Sequence, residues 1–166
     1  MSAFHSPPPA RLRGFAFDRR GHLIVSEAFG GALDASAVSS YDVLEDGALE
    51  VISASVPTTE SAACWIAVTH NNRFAYTTNT GSGTITGYLV ARDGSLAIMN
   101  ADGITGSTGA GSGPTDLLVS RGSRFLYSLN AGNGTISAFS LKSDGSLAAV
   151  QTLAGLPVNS TGLVAE

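Results

Sequence analysis

A stretch of about 51 residues is written three times in this chain, and that period decides what it can fold into. Phe17, Val68 and Val119 each close a short apolar run, and each lies 51 residues from the next. The second copy reads IAVTHNNRFAYTTNTGSGTITGYLVARDGSLAIM and the third LLVSRGSRFLYSLNAGNGTISAFSLKSDGSLAAV. The first is looser, FAFDRRGHLIVSEA followed by SSYDVLEDGALEVI. A repeat of this length is one supersecondary unit, which buries its apolar faces by stacking on its neighbours.

Each copy divides into four β-patterned runs, at 116–120, 124–130, 134–141 and 146–153 in the third. The first run is apolar on both faces (LLV, IAV, FAF), as a buried inner strand requires. The second and third alternate, as in Thr135-Ile136-Ser137-Ala138-Phe139, which suits half-buried strands. Asp46-Gly47, Asp93-Gly94 and Asp144-Gly145 join run three to run four. Asp-Gly supplies the positive φ angles that a tight hairpin needs. The first copy departs from the others in its second connection, FGGALDASAV. Glu27 to Tyr41 is 14 residues, against 10 from Thr78 to Tyr88 and from Leu129 to Phe139.

Four antiparallel strands with a buried first strand make a β-propeller blade. The expected fold is therefore all-β, with three four-stranded antiparallel blades at about 14–59, 60–109 and 110–155. A lead-in at 1–13 and a closing strand at 156–166 flank them. There is no WD dipeptide, Gly30-Gly31 is the one Gly-Gly pair, and a parallel β-helix has a shorter repeat. A β-sandwich is the structural alternative, but a sandwich does not need its sequence to repeat.

Composition narrows the function classes. Nine Lys+Arg and a net charge of −4 leave no basic cluster, so nucleic acid is not an expected partner. A lone Cys64 rules out an intrachain disulfide and a thiolate metal cage, and three scattered histidines lack metal-ligand spacing. No cofactor and no metal are implied. No run of about 18 apolar residues exists, so no membrane span is expected. The opening MSAFHSPPPARLRG lacks the apolar core of a secretory signal. The expected location is cytoplasmic, or secreted if a leader has been lost.

Gly113-Pro114 before an inner run, then RFLYSLNAGNGTISAF and a DGSL turn, resembles the blade of seven-bladed lactonase-type propellers. The segment ACWIAVTHNNRFAYTTNTGSGTITGY is similar to it as well, and the resemblance covers about residues 14–166. It implies a propeller fold and either hydrolysis of a sugar lactone, such as 6-phosphogluconolactone, or cycloisomerisation of a muconate; many members have no demonstrated activity. Blades of that family often carry Pro-His at the top of the inner strand. The matching positions here are Leu12-Arg13-Gly14, Ala63-Cys64-Trp65 and Pro114-Thr115-Asp116, so no histidine-dependent site carries over. The relatives have about seven blades and this chain has three, like the C-terminal half of such a protein.

Three blades do not close a ring. The economical solution is a homodimer through the blade edges, giving six blades, with the 160–165 segment pairing with the partner chain or with the first blade. In this topology the ends of the second runs and the starts of the first runs meet at a channel mouth. Glu27 and Asp116 are the candidate catalytic carboxylates, acting as general base and acid. Arg13, Trp65, Asn79 and Asn130 are the candidate ligand-binding residues. Arg13 suits a carboxylate or phosphate and Trp65 a sugar ring; Asn79 and Asn130 also suit turn stabilisation. His22 and His70 are expected as exposed turn residues on the opposite face. The leading reading is a binding or interaction scaffold for a small molecule or peptide; the alternatives are a hydrolase of small sugar lactones and a folded remnant without activity.

Overall fold

The structure is a computed structural model describing residues 12–164. Most of the expected lead-in, His5 and Ala165 lie outside the described residues. The first sheet runs in the order β1 (Leu12–Phe17), β2 (Leu23–Glu27), β3 (Ala37–Val43), β4 (Leu49–Pro57). The second runs β5 (Ala63–Val68), β6 (Phe74–Asn79), β7 (Thr84–Val90), β8 (Leu96–Ile98), and β9 (Gly106–Ser107) also pairs with β7. The third runs β10 (Pro114–Val119), β11 (Phe125–Asn130), β12 (Thr135–Leu141), β13 (Leu147–Ala154). Every pairing is antiparallel between chain neighbours, apart from β9 on β7, so each sheet is a meander: a propeller blade.

The blades stack through two apolar layers. Ile24 and Val38 of the first blade meet Ile66, Ala75, Tyr88, Val90 and Leu96 of the second. Phe74, Tyr76 and Ile85 of the second blade meet Leu117, Val119, Leu126 and Phe139 of the third. Alternation along each strand sends neighbouring residues to opposite layers, so the middle strands of the second blade serve both interfaces.

Register shows where the copies differ. Phe17 pairs with Leu23, but Val68 with Ala75 and Val119 with Leu126, so the first turn of the first blade is one residue short. Glu27 pairs with Ala37, where Asn79 pairs with Thr84 and Asn130 with Thr135. The second connection of the first blade is thus five residues longer, not four, and Glu27 stands level with Asn79 and Asn130. In the Asp-Gly turns only glycine takes a positive φ: Gly47 84°, Gly94 82°, Gly145 89°. The aspartate instead accepts the backbone N–H two residues on, from Ala48, Ser95 and Ser146. This is a type I turn closed by a left-handed glycine rather than a two-residue turn with both φ positive.

His22 is not a bare turn residue. Its Nδ1 lies 3.0 Å from Asp18 Oδ2, and Asp18 Oδ1 accepts the N–H of Arg20 at 2.8 Å and of His22 at 3.0 Å. The short first turn is therefore organised around a buried carboxylate. His70 remains exposed, its N–H donating to Ser123 of the next blade at 2.9 Å.

Two predictions follow from this packing. A Cβ on Gly14 would stand 2.7 Å from the Cys64 carbonyl oxygen and 2.9 Å from Trp65 Cα. Gly14→Ala therefore forces the first two inner strands apart and costs about 1–3 kcal/mol. Gly122→Ala, whose nearest contact is 3.8 Å away, serves as the neutral control in the same urea titration. Burial alone would raise the Asp18 pKa, but the hydrogen bonds from His22 and Arg20 outweigh it and hold the group below 3.8. A depressed carboxylate stabilises the fold above its unfolded pKa and loses that contribution as pH falls through the folded value. Thermal melts from pH 7 down to pH 2 should show a loss of stability below about pH 4 that Asp18→Asn reduces.

Candidate functional site

The inner strands carry a common irregularity at one end. Register shifts between Leu12 and Phe15, between Ala63 and Ile66, and between Pro114 and Asp116. Each bulge leaves an N–H that the ladder cannot satisfy, and a side chain takes it. Ser26 Oγ accepts from Gly14 at 3.0 Å, Thr78 Oγ1 from Trp65 at 3.0 Å, and Asp116 Oδ1 from Leu117 at 2.7 Å. Ser26 also donates to the carbonyl oxygens of Gly14 and Cys64, stitching the first blade to the second. The bulges turn the residues at these positions toward one mouth.

Three of the six candidate residues line the same open pocket there. Arg13 comes from the first blade, Cys64 and Trp65 from the second, Thr115 and Asp116 from the third, and Thr161 and Gly162 from the tail. Its volume is about 350 Å³. A recess of about 160 Å³ shares Arg13, Cys64 and Thr115 and reaches Thr80. The Trp65 side chain is half-exposed, Arg13 is exposed and Asp116 is buried. Thr115 Oγ1 is buried without a hydrogen-bond partner among the described residues. Asp116 Oδ2 accepts the Leu163 N–H at 2.8 Å, so residues 160–164 run beside the third blade rather than the first. Burial pushes the Asp116 carboxyl above its ordinary pKa, against the pull of the N–H groups of Leu117 and Leu163. Burial also raises the Cys64 thiol, with Thr80 and Arg13 pulling the other way; a raised thiol is a poor nucleophile at neutral pH.

The other three candidates lie between sheets. Glu27 is buried, and its two oxygens accept hydroxyls from Ser39 at 2.6 Å and Ser55 at 2.7 Å. Asn79 is fully buried and donates to Thr84 at 3.1 Å and Thr86 at 2.8 Å. Asn130 does the same with Thr135 and Ser137, both at 2.9 Å, and accepts from Ser128. These side chains clamp the second strand of their blade to the third, and none lines the pocket at Asp116.

Cys64, Thr115, Thr161 and Gly162 were not singled out from sequence. Cys64 and Thr115 share the inner-strand position of Arg13, so register was the signal for them. The approach of the tail to Asp116 has no sequence signal. Glu60, a further buried carboxylate, accepts the Thr84 hydroxyl at 2.8 Å and sits in a loop that no pattern marks. Among the described residues no group of three or more His, Cys, Asp or Glu is placed to hold a metal, and no helix is long and apolar enough to cross a membrane.

No family model matches this chain, and no curated protein does. Solved structures show the fold. The periplasmic gluconolactonase of Pseudomonas aeruginosa superposes with TM-score 0.68 at 20% identity, over 90% of this chain and 44% of that one. A protein of unknown function from Desulfotomaculum acetoxidans gives 0.69 at 19% identity, over 91% and 46%. Hydrazine synthase of Kuenenia stuttgartiensis gives 0.62 at 14% identity, over 95% and 40%. The chain thus has a lactonase-like, partial propeller fold and spans under half the length of these proteins.

The raised Asp116 pKa gives a signed prediction. An acid whose folded pKa exceeds its unfolded one loses stability as pH rises through that window. Asp116→Asn keeps an acceptor for Leu163 and removes the ionisation. Its melting temperature should therefore gain on the wild type between pH 4 and pH 7; an unchanged difference would contradict the shift.

Proposed function

We propose that this chain is a lactonase-like propeller module that binds a small, oxygen-rich anion such as a sugar acid at the mouth of its inner strands. The observation that carries this reading is the meeting of Arg13, Trp65 and Asp116, one from each blade, in a single open pocket. The guanidinium offers a bidentate partner for a carboxylate or phosphate. The indole offers an apolar face for a sugar ring, and the unpaired Thr115 hydroxyl a donor for a ligand oxygen.

A second reading, hydrolysis of a sugar lactone, is favoured by the gluconolactonase likeness of the fold and by the environment of Asp116. Asp116, released from the tail N–H, takes a proton from water as the hydroxide oxygen bonds to the lactone carbonyl carbon. The ring C–O bond then breaks, the departing alkoxide regains a proton, and the acid product leaves one proton in solution. A carboxylate with a raised pKa is the better base for this step. In this reading Arg13, which lines the same pocket, stabilises the developing oxyanion. Glu27 is spent on Ser39 and Ser55, so Asp116 alone takes the catalytic role here.

Calorimetric titration with gluconate separates these two readings from a folded remnant without activity. Binding that falls at least tenfold in Arg13→Ala and Trp65→Ala supports the module reading; no heat with gluconate or its lactone sinks it. Proton release from glucono-δ-lactone above the spontaneous rate, lost in Asp116→Asn and kept in Glu27→Gln, supports hydrolysis. Release that persists in Asp116→Asn removes Asp116 as the base.

A further inference from the structure

The two ends of the blade stack carry apolar faces that the described chain leaves largely open. On the first blade Phe15 and Phe17 are 65% and 56% exposed, and with Leu23 and Val25 they wall a groove of about 440 Å³. On the third blade Leu118, Tyr127, Ile136 and Leu153 wall a hollow of about 350 Å³, touched by Leu163 and Val164. Monomeric proteins rarely leave two such patches open.

These faces are the two halves of one joint. Tyr127 pairs with Leu118 and Ala138 as Tyr76 pairs with Ala67 and Gly87, and Tyr76 is where the second blade receives the third. Phe15 and Phe17 hold the inner-strand positions of Leu117 and Val119, by which the third blade enters the second. The first blade therefore ends in an inserting face and the third in a receiving face.

Charge matches across the same joint. Arg13 lines the rim of the groove on the first blade. Asp116 lies at the rim of the third and points toward the tail. The tail holds the slot of a next inner strand: Ala62 (φ 59°), Gly113 (57°) and Asn159 (62°) are the left-handed residues just before β5, β10 and the tail. A β1 strand entering that slot carries its Arg13 to where Thr161 now stands, beside Asp116.

We infer that the partner these faces fit is a second copy of this chain. The first blade of each copy seats on the third blade of the other. The incoming β1 displaces residues 160–164 from β10, and its Arg13 pairs with Asp116. Two identical joints related by a two-fold axis close a ring of six blades. Ligand binding at the mouth is not required for this assembly.

Size exclusion with multi-angle light scattering tests it, with circular dichroism checking that each variant is folded. The wild type is expected near twice 16.8 kDa. Phe15→Asp is expected near the monomer mass, and because Phe15 faces solvent within one chain its loss spares the core. Arg13→Asp and Asp116→Arg are each expected to weaken the dimer at least tenfold, and the double variant Arg13→Asp/Asp116→Arg to recover it. A folded monomeric wild type overturns the proposal and leaves the faces to other partners. A dimer indifferent to Phe15→Asp, or a charge swap no better than either single variant, overturns this joint.

Discussion

Face-to-face contact between apolar sheet layers is the constraint on which the rest of this structure depends. The strand ladders close each blade within itself, so one blade joins the next through side-chain packing and scattered hydrogen bonds such as Ser26 to Cys64 and His70 to Ser123. The largest fully buried side chains, Tyr76 and Tyr88, sit in the two layers. Fully burying one large apolar side chain is worth about 1.5–3 kcal/mol. Each tyrosine also has a polar end that must be satisfied. Tyr76 donates to the Gly145 carbonyl of the third blade at 2.7 Å, and Tyr88 to the Val56 carbonyl of the first at 3.1 Å. The phenols thereby fix how far one sheet slides over the other. The Asp-Gly turns join in, because Gly145 lies where a Cβ would meet Phe74 at 2.5 Å and Gly94 where one would meet His22 at 2.8 Å. A residue chosen for its backbone freedom in a turn is thus also chosen for its lack of bulk against the neighbouring blade.

That stacking decides what happens at the mouth. Inner strands packed this closely, with Gly14 against the backbone of Cys64 and Trp65, need a local break to turn side chains toward the axis. The bulges provide it, and Ser26, Thr78 and Asp116 satisfy the N–H groups the bulges release. Two carboxylates then meet opposite fates. Glu27, at the end of a second strand, is surrounded by hydroxyl donors between sheets. Asp116, in a bulge, is buried with backbone N–H donors and an open pocket in front of it. The side chains that line the pocket are therefore the residues in and beside the bulges, not the strand-end residues.

A shared fold does not carry function with it. Gluconolactonase and hydrazine synthase both superpose on this chain, and their chemistry has little in common. At two successive inner-strand levels the present chain carries Arg13 then Gly14, Cys64 then Trp65, and Thr115 then Asp116.

The blade itself was legible in the sequence. A period near 51 residues, inner runs apolar on both faces and Asp-Gly before each last strand are local signals, because strand alternation and glycine torsions act over a few residues. That Arg13, Trp65 and Asp116 lie at the same end of their inner strands was legible too, because the 51-residue period puts Arg13 level with Cys64 and Thr115, one residue before the level of Trp65 and Asp116. The fine register of the first blade was not: a turn one residue short and a connection five residues longer sum to the net four visible in the chain, and only pairing separates them. Nor did sequence reveal that Glu27, Asn79 and Asn130 turn into the sheets while Asp116 faces a pocket. A side chain's direction at a strand end depends on which hydroxyls the neighbouring strand presents, and that is a tertiary fact. The same holds for the tail, held beside the third blade by the N–H groups of Leu156, Asn159 and Leu163 on the Gly134 and Ala131 carbonyls and the Asp116 carboxylate.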